Sequence, residues 1–525
     1  MKENFFIFFS IIQIIFGKKY KCGNGIIKHN PPFKIKNNNN SKKRLLNNNF
    51  EPMKIKVDYT QLKIDTKNNE EIFDVIKTSL DLATHYFELL LSVKHYIYSD
   101  SDNIYSNSFI EEKCSIDNID KNCSNWFQIY DLILFPSFDL NTENDDVFAS
   151  ASPCLLSLSD FRPIAGRIFI QQNFDFNKKN IVMFLQTILF HEITHILIFE
   201  PNLLNSFNAI KEEEIDDETK YYIISPKALE RARFHFGCDS LEGIPLEDQG
   251  GEGSIGSHWE GRYMLGDYMV SISYQENTIS DITLALFEDS GWYKVNYYTG
   301  GLFRFGKNKG CEFFEKKCLI NEKATFSEFC HKSKEPKCLN AHLGTGECYI
   351  GFIKDEIIPE KFQYFKKENL GGLFNVNFCP AADSYFESIS NNQYYFETNC
   401  RYGSSQNLFS HYGEIIGNRS ICFESSLLPR YSPQPYKWRS ICYKMICDRI
   451  NKNIIVFIND LNVTCPYQGG ILKKLKGFKG QINCPDYNMV CTSEIWCNEM
   501  FDCIDKKSIT DKNTYIKNDE NIEQL

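Results

Sequence analysis

The sequence predicts an α+β protein: a mixed domain of helices and short strands over residues 52–310, then a disulfide-rich domain of short strands and loops over 311–505. Three observations predict it. Residues 181–199 are an apolar run without Gly or Pro that carries Gln186, His191, Glu192 and His195 inside it. Such a run makes a buried helix, because a lipid-facing span would have to desolvate those polar groups. Most of the twenty cysteines lie beyond residue 310 among Gly, Pro and aromatic residues, a pattern of short stapled strands. Periodicity elsewhere predicts a helix near Glu70 to Tyr98 and another near Ile279 to Gly291, with short strands between, and no repeats.

Two segments precede the first domain. Met1-Lys2-Glu3-Asn4 is a short n-region, and Phe5 to Phe16 is an apolar stretch too short to span a bilayer. Residues 1–17 therefore read as a signal peptide cut near Gly17 or Lys18, with an uncleaved anchor as the competing reading. Residues 18–51 are of low complexity. Lys34 to Asn49 is mostly Lys and Asn around Ser41-Lys42-Lys43-Arg44, a composition expected to be disordered, and its position points to a short propeptide.

His191-Glu192-Ile193-Thr194-His195 carries the chemistry. Residues four apart share a helix face, so His191 and His195 can turn two imidazoles toward one metal, and Glu192 can reach a water on it. A catalytic zinc needs a third protein ligand and an open position. Among ten histidines, His258 stands out at the end of Gly250-Gly251-Glu252-Gly253-Ser254-Ile255-Gly256-Ser257, because a glycine-rich loop can turn sharply and bring a distant side chain home. Met269 follows eleven residues later. Alone, His258 reads better as a surface-loop histidine and Met269 as a core methionine.

Together these residues resemble the leishmanolysin family of metzincin-type zinc endopeptidases. Arg162-Pro163-Ile164-Ala165-Gly166 is similar to the family's Arg-Pro-x-x-Gly strand. Phe236 to Glu242, Glu247-Asp248-Gln249-Gly250-Gly251 and Thr283 to Tyr293 are similar to its segments around the third histidine and its closing helix. Gly310-Cys311, Phe378-Cys379-Pro380 and Asn483-Cys484-Pro485 are similar to its cysteine-rich domain, and the likeness covers about residues 52–495. The resemblance implies a metzincin-like catalytic domain with one Zn2+ on His191, His195 and His258, Glu192 as general base, and Met269 in a Met-turn. It also implies protein or peptide substrates. The short metzincin motif has Gly three residues after its second His. This chain has Ile198, which resists a left-handed turn, so the helix is expected to continue to Phe199 and turn at Pro201. Asp131 to Phe135 is a candidate edge strand for an extended substrate, beside the plainer reading of a core strand.

The resemblance further implies the disulfides Cys238–Cys311, Cys318–Cys379, Cys330–Cys348, Cys338–Cys422, Cys400–Cys442, Cys447–Cys491 and Cys465–Cys484. Cys497 is a candidate partner of Cys503, and two of Cys114, Cys123 and Cys154 should pair, leaving one spare. A structural zinc site among the late cysteines is the alternative, though paired C-x-x-C knuckles are missing. Cys22 is a candidate latency ligand for the open zinc position. The family has His two residues later where Asn24 stands here, so a disulfide role stays open.

Net charge is −10, from 58 basic and 68 acidic side chains, and no basic stretch interleaved with aromatics occurs, so nucleic-acid binding has no support. The polar tail 506–525 lacks the hydrophobic run of a lipid-anchor signal, which leaves a secreted protein or one held peripherally at the cell surface. Asn418-Arg419-Ser420 and Asn462-Val463-Thr464 are candidate glycosylation triplets. Three readings follow: a secreted zinc metalloendopeptidase, a catalytically silent adhesion or binding protein on the same scaffold, or a zincin whose third ligand is a glutamate such as Glu260.

Overall fold

The computed structural model describes residues 45–97, 105–139, 148–157, 159–172, 176, 181–215, 218–249, 254–271, 277–297, 303–353, 357–383, 398–400, 412–417, 419–433, 437–448, 450–459 and 461–491. The signal segment, Cys22, Asn418, Cys497, Cys503 and the polar tail lie outside them. The chain divides into two compact units between Phe314 and Glu315.

The first unit opens with β1 (Leu45–Pro52), β2 (Ile55–Val57), α1 (Thr60–Asp65), α2 (Glu70–Leu90) and β3 (Leu91–Ile97); β1 corrects the expected disorder of Lys34 to Asn49 over its last five residues, because pairing with β3 orders them. Asn69 caps α2 by accepting from Ile72 N at 3.2 Å, and Glu70 and Glu71 complement the helix dipole in its first turn. The helix buries Ile72, Ile76, Leu80, Ala83, Phe87 and Leu90 along one stripe. It stops at Leu90, eight residues short of the expected Tyr98. From Leu91 the period changes: Leu91 and Val93 are buried while Ser92 and Lys94 are half-buried, and β3 pairs antiparallel with both β1 and a late strand, β10 (Tyr293–Val295). Strand pairing across some two hundred residues overrides the local helical spacing.

After α3 (Asn107–Cys114) and α4 (Cys123–Trp126) come β4 (Leu132–Asp139), β5 (Ala149–Leu156) and β6 (Pro163–Gln171). They form a four-stranded sheet in the order β2-β4-β6-β5, parallel except for β5 against β6. β4 is thus an interior strand, which corrects its reading as a candidate edge. Leu132, Ile133, Leu134 and Phe135 are all buried, as expected of a parallel strand covered on both faces. The edge next to β6 is β5, whose Pro153 suits a strand with one unpaired side.

α5 (Ile181–Leu197) packs across β5, β6 and α2, with Phe190 stacked on Phe87 at 4.1 Å and meeting Tyr86 edge-on at 5.1 Å. With the following α6 (Pro201–Ser206) it forms a stretch long and apolar enough to cross a membrane, yet 78% of its apolar window is buried inside the protein. α5 ends two residues before the expected Phe199. Ile198 N and Phe199 N both donate to Thr194 O, at 2.9 and 3.0 Å, and Pro201 starts a new helix capped by Glu200. Ile198 is not among the residues with positive φ, so the chain leaves the helix without the left-handed turn that isoleucine resists.

The unit is completed by the sheet of β7 (Ile210–Ile215), β8 (Glu218–Ile223) and β9 (Ile244–Pro245), with α7 (Pro226–Phe236), α8 (Gly261–Met264) and α9 (Asp281–Asp289). Cys114–Cys154 and Cys238–Cys311 cross-link it. Cys123 is the spare thiol, buried and pushed up to about 12 by burial and by Asp58, Asp120 and Glu111.

The second unit is built on a six-stranded sheet whose central pair is Ser420–Ser425 and Arg439–Asp448. Its remaining six disulfides are those the resemblance implies. Cys422 and Cys442 face each other across that pair, each bonded elsewhere, so the bridges to Cys338 and Cys400 pack together as a buried plug. All described cysteines of this unit are oxidised, which leaves no thiolate for a structural zinc. Asn462 is exposed on Leu461–Cys465.

A close helix-to-sheet approach explains one motif. A Cβ built on Gly166 would lie 2.3 Å from Ile196 Cγ2, so glycine lets α5 sit directly on β6. Gly166→Ala should cost about 1–3 kcal/mol by overpacking. Chemical denaturation checks this; unchanged stability would show that the helix can shift freely.

Candidate metal centre

α5 places His191 and His195 one turn apart, and their Nε2 atoms lie 3.0 Å from each other. The third imidazole arrives on a loop that folds back after β9. Leu246 bridges Trp259, Glu247 N donates to His258 O at 2.9 Å, and Glu260 N donates to Pro245 O at 3.2 Å. Gly256, at φ +72°, makes the turn between them and donates its N–H to Glu247 O. His258 Nε2 thereby stops 3.3 Å from His191 Nε2, with its ring stacked on that of His191.

The outward-facing nitrogens decide what this cluster can hold. His191 Nδ1 lies 2.7 Å from Tyr268 O, His195 Nδ1 2.7 Å from Phe199 O, and His258 Nδ1 3.2 Å from Ser254 O and 3.0 Å from Ser257 Oγ. Carbonyl oxygens only accept, so each Nδ1 carries the proton and each Nε2 presents a lone pair inward. Three facing lone pairs cannot hydrogen-bond one another; they suit a cation. Two ligands at 2.0–2.1 Å from a tetrahedral zinc would be about 3.3 Å apart, close to the spacing here. The fit to a metal is therefore good.

The site is dry. His195, His258 and Glu192 are fully buried and His191 is 4% exposed. Burial pushes His191 down to about 4 and His258 down to about 3, the latter also through repulsion from His191. Glu192 shares the helix next to His191. Glu260 stands apart: it accepts from Arg262 N at 2.8 Å and groups with Glu247 and Asp248, while His258 fills the place beside His191 and His195.

Met269 is fully buried, and its turn is tied to the site from both sides. Its carbonyl accepts from Trp259 N at 3.0 Å, and the preceding carbonyl, of Tyr268, holds His191. The Tyr268 hydroxyl meets Thr194 Oγ1 at 3.0 Å. Asp267 organises the turn and was assigned no role from sequence. Its carboxylate accepts from Met269 N, Ser280 N and Thr283 Oγ1, and Thr283 Oγ1 in turn accepts from Trp259 Nε1 at 2.8 Å. Burial raises Asp267 to about 6. The Asp-x-Met spacing, an Asx turn two residues ahead of Met269, was the readable signal.

Three imidazoles converging from an His-Glu-x-x-His helix and a distant loop, buried beside a carboxylate, define a metallopeptidase-type centre. Comparison with known proteins agrees. The family model for leishmanolysin, peptidase M8, matches residues 102–497, and the chain belongs to that family. It is 27% identical to a leishmanolysin homolog of Crithidia fasciculata over 58% of this chain and 47% of that protein. It is 29% identical to a leishmanolysin-like peptidase of Drosophila pseudoobscura pseudoobscura over 52% and 44%, and 25% identical to leishmanolysin of Leishmania chagasi over 67% and 58%. The chain thus spans about half the length of the curated relatives it matches.

A lowered pKa keeps the imidazole lone pair available to lower pH. Protons should therefore compete poorly for His191 and His258, and metal bound at neutral pH should persist near pH 5 and leave below about 4. Metal-to-protein ratios after dialysis at stepped pH test this, and half-release above about pH 6 would contradict it.

Proposed function

We propose that the chain is a secreted or cell-surface zinc-dependent metalloendopeptidase that hydrolyses peptide bonds of proteins. The observation that carries this is the set of three inward Nε2 lone pairs, each imidazole oriented by its own Nδ1 contact. His191, His195 and His258 would hold one zinc, which when bound supplies Lewis acidity to a water and to the scissile carbonyl. Glu192 takes the proton of the attacking water and returns it to the leaving amine, with no covalent intermediate. Met269 forms an apolar part of the wall, positioned by Asp267. An extended substrate would add to the unpaired side of β5, which packs against α5, in place of the interior β4.

Eight disulfides point to an oxidising compartment. We assign residues 1–17 to secretion, 18–51 to a propeptide that carries Cys22, a candidate for the latency ligand or for a disulfide, and whose end from Leu45 pairs with β3 as β1, and 52–310 and 311–505 to the catalytic and cysteine-rich domains. The silent binding protein remains the second reading, and activity separates the two.

The purified chain, with the segment bearing Cys22 removed, should hold one zinc and cleave peptides in a chelator-sensitive manner. Glu192→Ala should keep the zinc and lose about 10²–10⁴-fold in kcat. His258→Ala should lose metal, which a Glu260 ligand would not predict. Full zinc occupancy without cleavage would replace this reading with the binding protein.

A further inference from the structure

A second cluster of metal-competent side chains lies beside the first and plays no part in the reaction above. Glu247, Asp248 and Glu260 each offer one carboxylate oxygen within 4.8 Å of the other two. Oxygens held 2.3–2.6 Å from a common ion lie at most about 5 Å apart, so the three can share one. Glu247 is 1% exposed and Glu260 2% exposed. Glu247 is satisfied by Gln249 N and Ser271 Oγ, both at 2.9 Å. The other two are incomplete. Glu260 Oε1 accepts from Arg262 N, while its buried Oε2 accepts no hydrogen bond; Asp248 Oδ2 is paired with Lys220, while its buried Oδ1 likewise accepts none.

The local cations make no hydrogen bond to these two oxygens. Arg262 is turned toward Phe313, donating to Phe313 O at 3.2 Å with its guanidinium over the Phe313 and Tyr263 rings, and makes no side-chain hydrogen bond to Glu260 Oε2. Lys220 engages Asp248 on the oxygen opposite the orphaned one. Two buried carboxylate oxygens without donors are costly unless a cation or a proton joins them.

We infer that Glu247, Asp248 and Glu260 bind one hard divalent cation of the calcium class, distinct from the metal at the three histidines. Oxygen-only, anionic donors favour calcium over the softer metals that imidazoles take. The site lies at both ends of the loop that delivers His258: Glu247 and Asp248 enter it, Glu260 leaves it, and Leu246 and Trp259 pair across its neck. A cation there ties the two strands of that neck together and braces the third imidazole. The inference does not depend on peptidase activity.

The test uses the full chain loaded with zinc and exchanged into calcium-free buffer, titrated with CaCl2 by calorimetry and followed by thermal melts. We expect one calcium per chain, with a Kd near the ~10⁻⁴–10⁻³ M of extracellular modules, and a Tm that rises by several degrees at saturation. Asp248→Asn and Glu260→Gln should each weaken uptake at least tenfold and flatten the Tm response. Absence of saturable uptake, or uptake unaltered by either variant, would overturn the proposal. A calcium-indifferent chain that Glu260→Gln makes more stable would assign the cluster to a shared proton instead. Should Glu260→Gln fail to fold, Asp248→Asn decides, since Asp248 is partly exposed and its side chain is isosteric with Asn.

Discussion

The contacts from the outer ring nitrogens to backbone carbonyls are what the rest of this molecule is arranged to supply. A buried imidazole with a free Nδ1 could adopt either tautomer and rotate. One whose Nδ1–H is held by a carbonyl presents a lone pair in a fixed direction. The three principal carbonyls come from three places: Tyr268 in the Met-turn, Phe199 at the end of α5, and Ser254 in the His258 loop. Each carbonyl is in turn fixed by its own segment. The metal site is therefore a property of the backbone as much as of the histidines, and disturbing any of the three segments would misdirect one ligand.

The end of α5 shows how this works. The family's glycine at that point would permit a left-handed exit, and Ile198 would be strained in one. The chain instead closes the helix by giving Thr194 O two donors, Ile198 N and Phe199 N, and by starting α6 at Pro201. That tight ending brings Phe199 O back over His195 Nδ1. Ile198 is buried in the process, and Phe199 packs edge-on to Trp259, next to the third ligand. An apparent obstacle to the site becomes part of its wall once the helix ends by hydrogen bonding instead of by positive φ.

Much of the site was legible because its signals are local: the i, i+4 histidines on an apolar helix, and a glycine-rich loop ending in His258. The disulfide framework was legible only through the family resemblance, since spacing alone leaves many connectivities open. Where the reading failed, long-range pairing was responsible. Leu91 to Ile97 continue the apolar spacing of α2, yet β1 and β10 offer strand partners that no local pattern reveals. The apolar run 132–135 is equally consistent with an edge and an interior strand until β2 and β6 are seen on either side of it. Asp267 escaped because a buried carboxylate that organises backbone N–H groups looks, in sequence, like any turn aspartate.

The His258 loop joins these themes, since its ligand comes from a segment with little regular structure of its own. Loops rich in glycine lose much conformational entropy when they are ordered, and a ligand delivered by one is only as fixed as the loop's neck. Here the neck is held by backbone bonds from Glu247 N to His258 O and from Glu260 N to Pro245 O. On the far side, Trp259 is anchored through Thr283 to Asp267, which also sets the turn whose carbonyl orients His191. One buried carboxylate thus couples the third ligand to the first. The acidic residues at the neck lie on the same loop, where Lys220 pairs with Asp248 and Arg262 N donates to Glu260. The geometry of the three imidazoles therefore rests on Asp267 and on the backbone bonds of the neck, groups that are not themselves ligands.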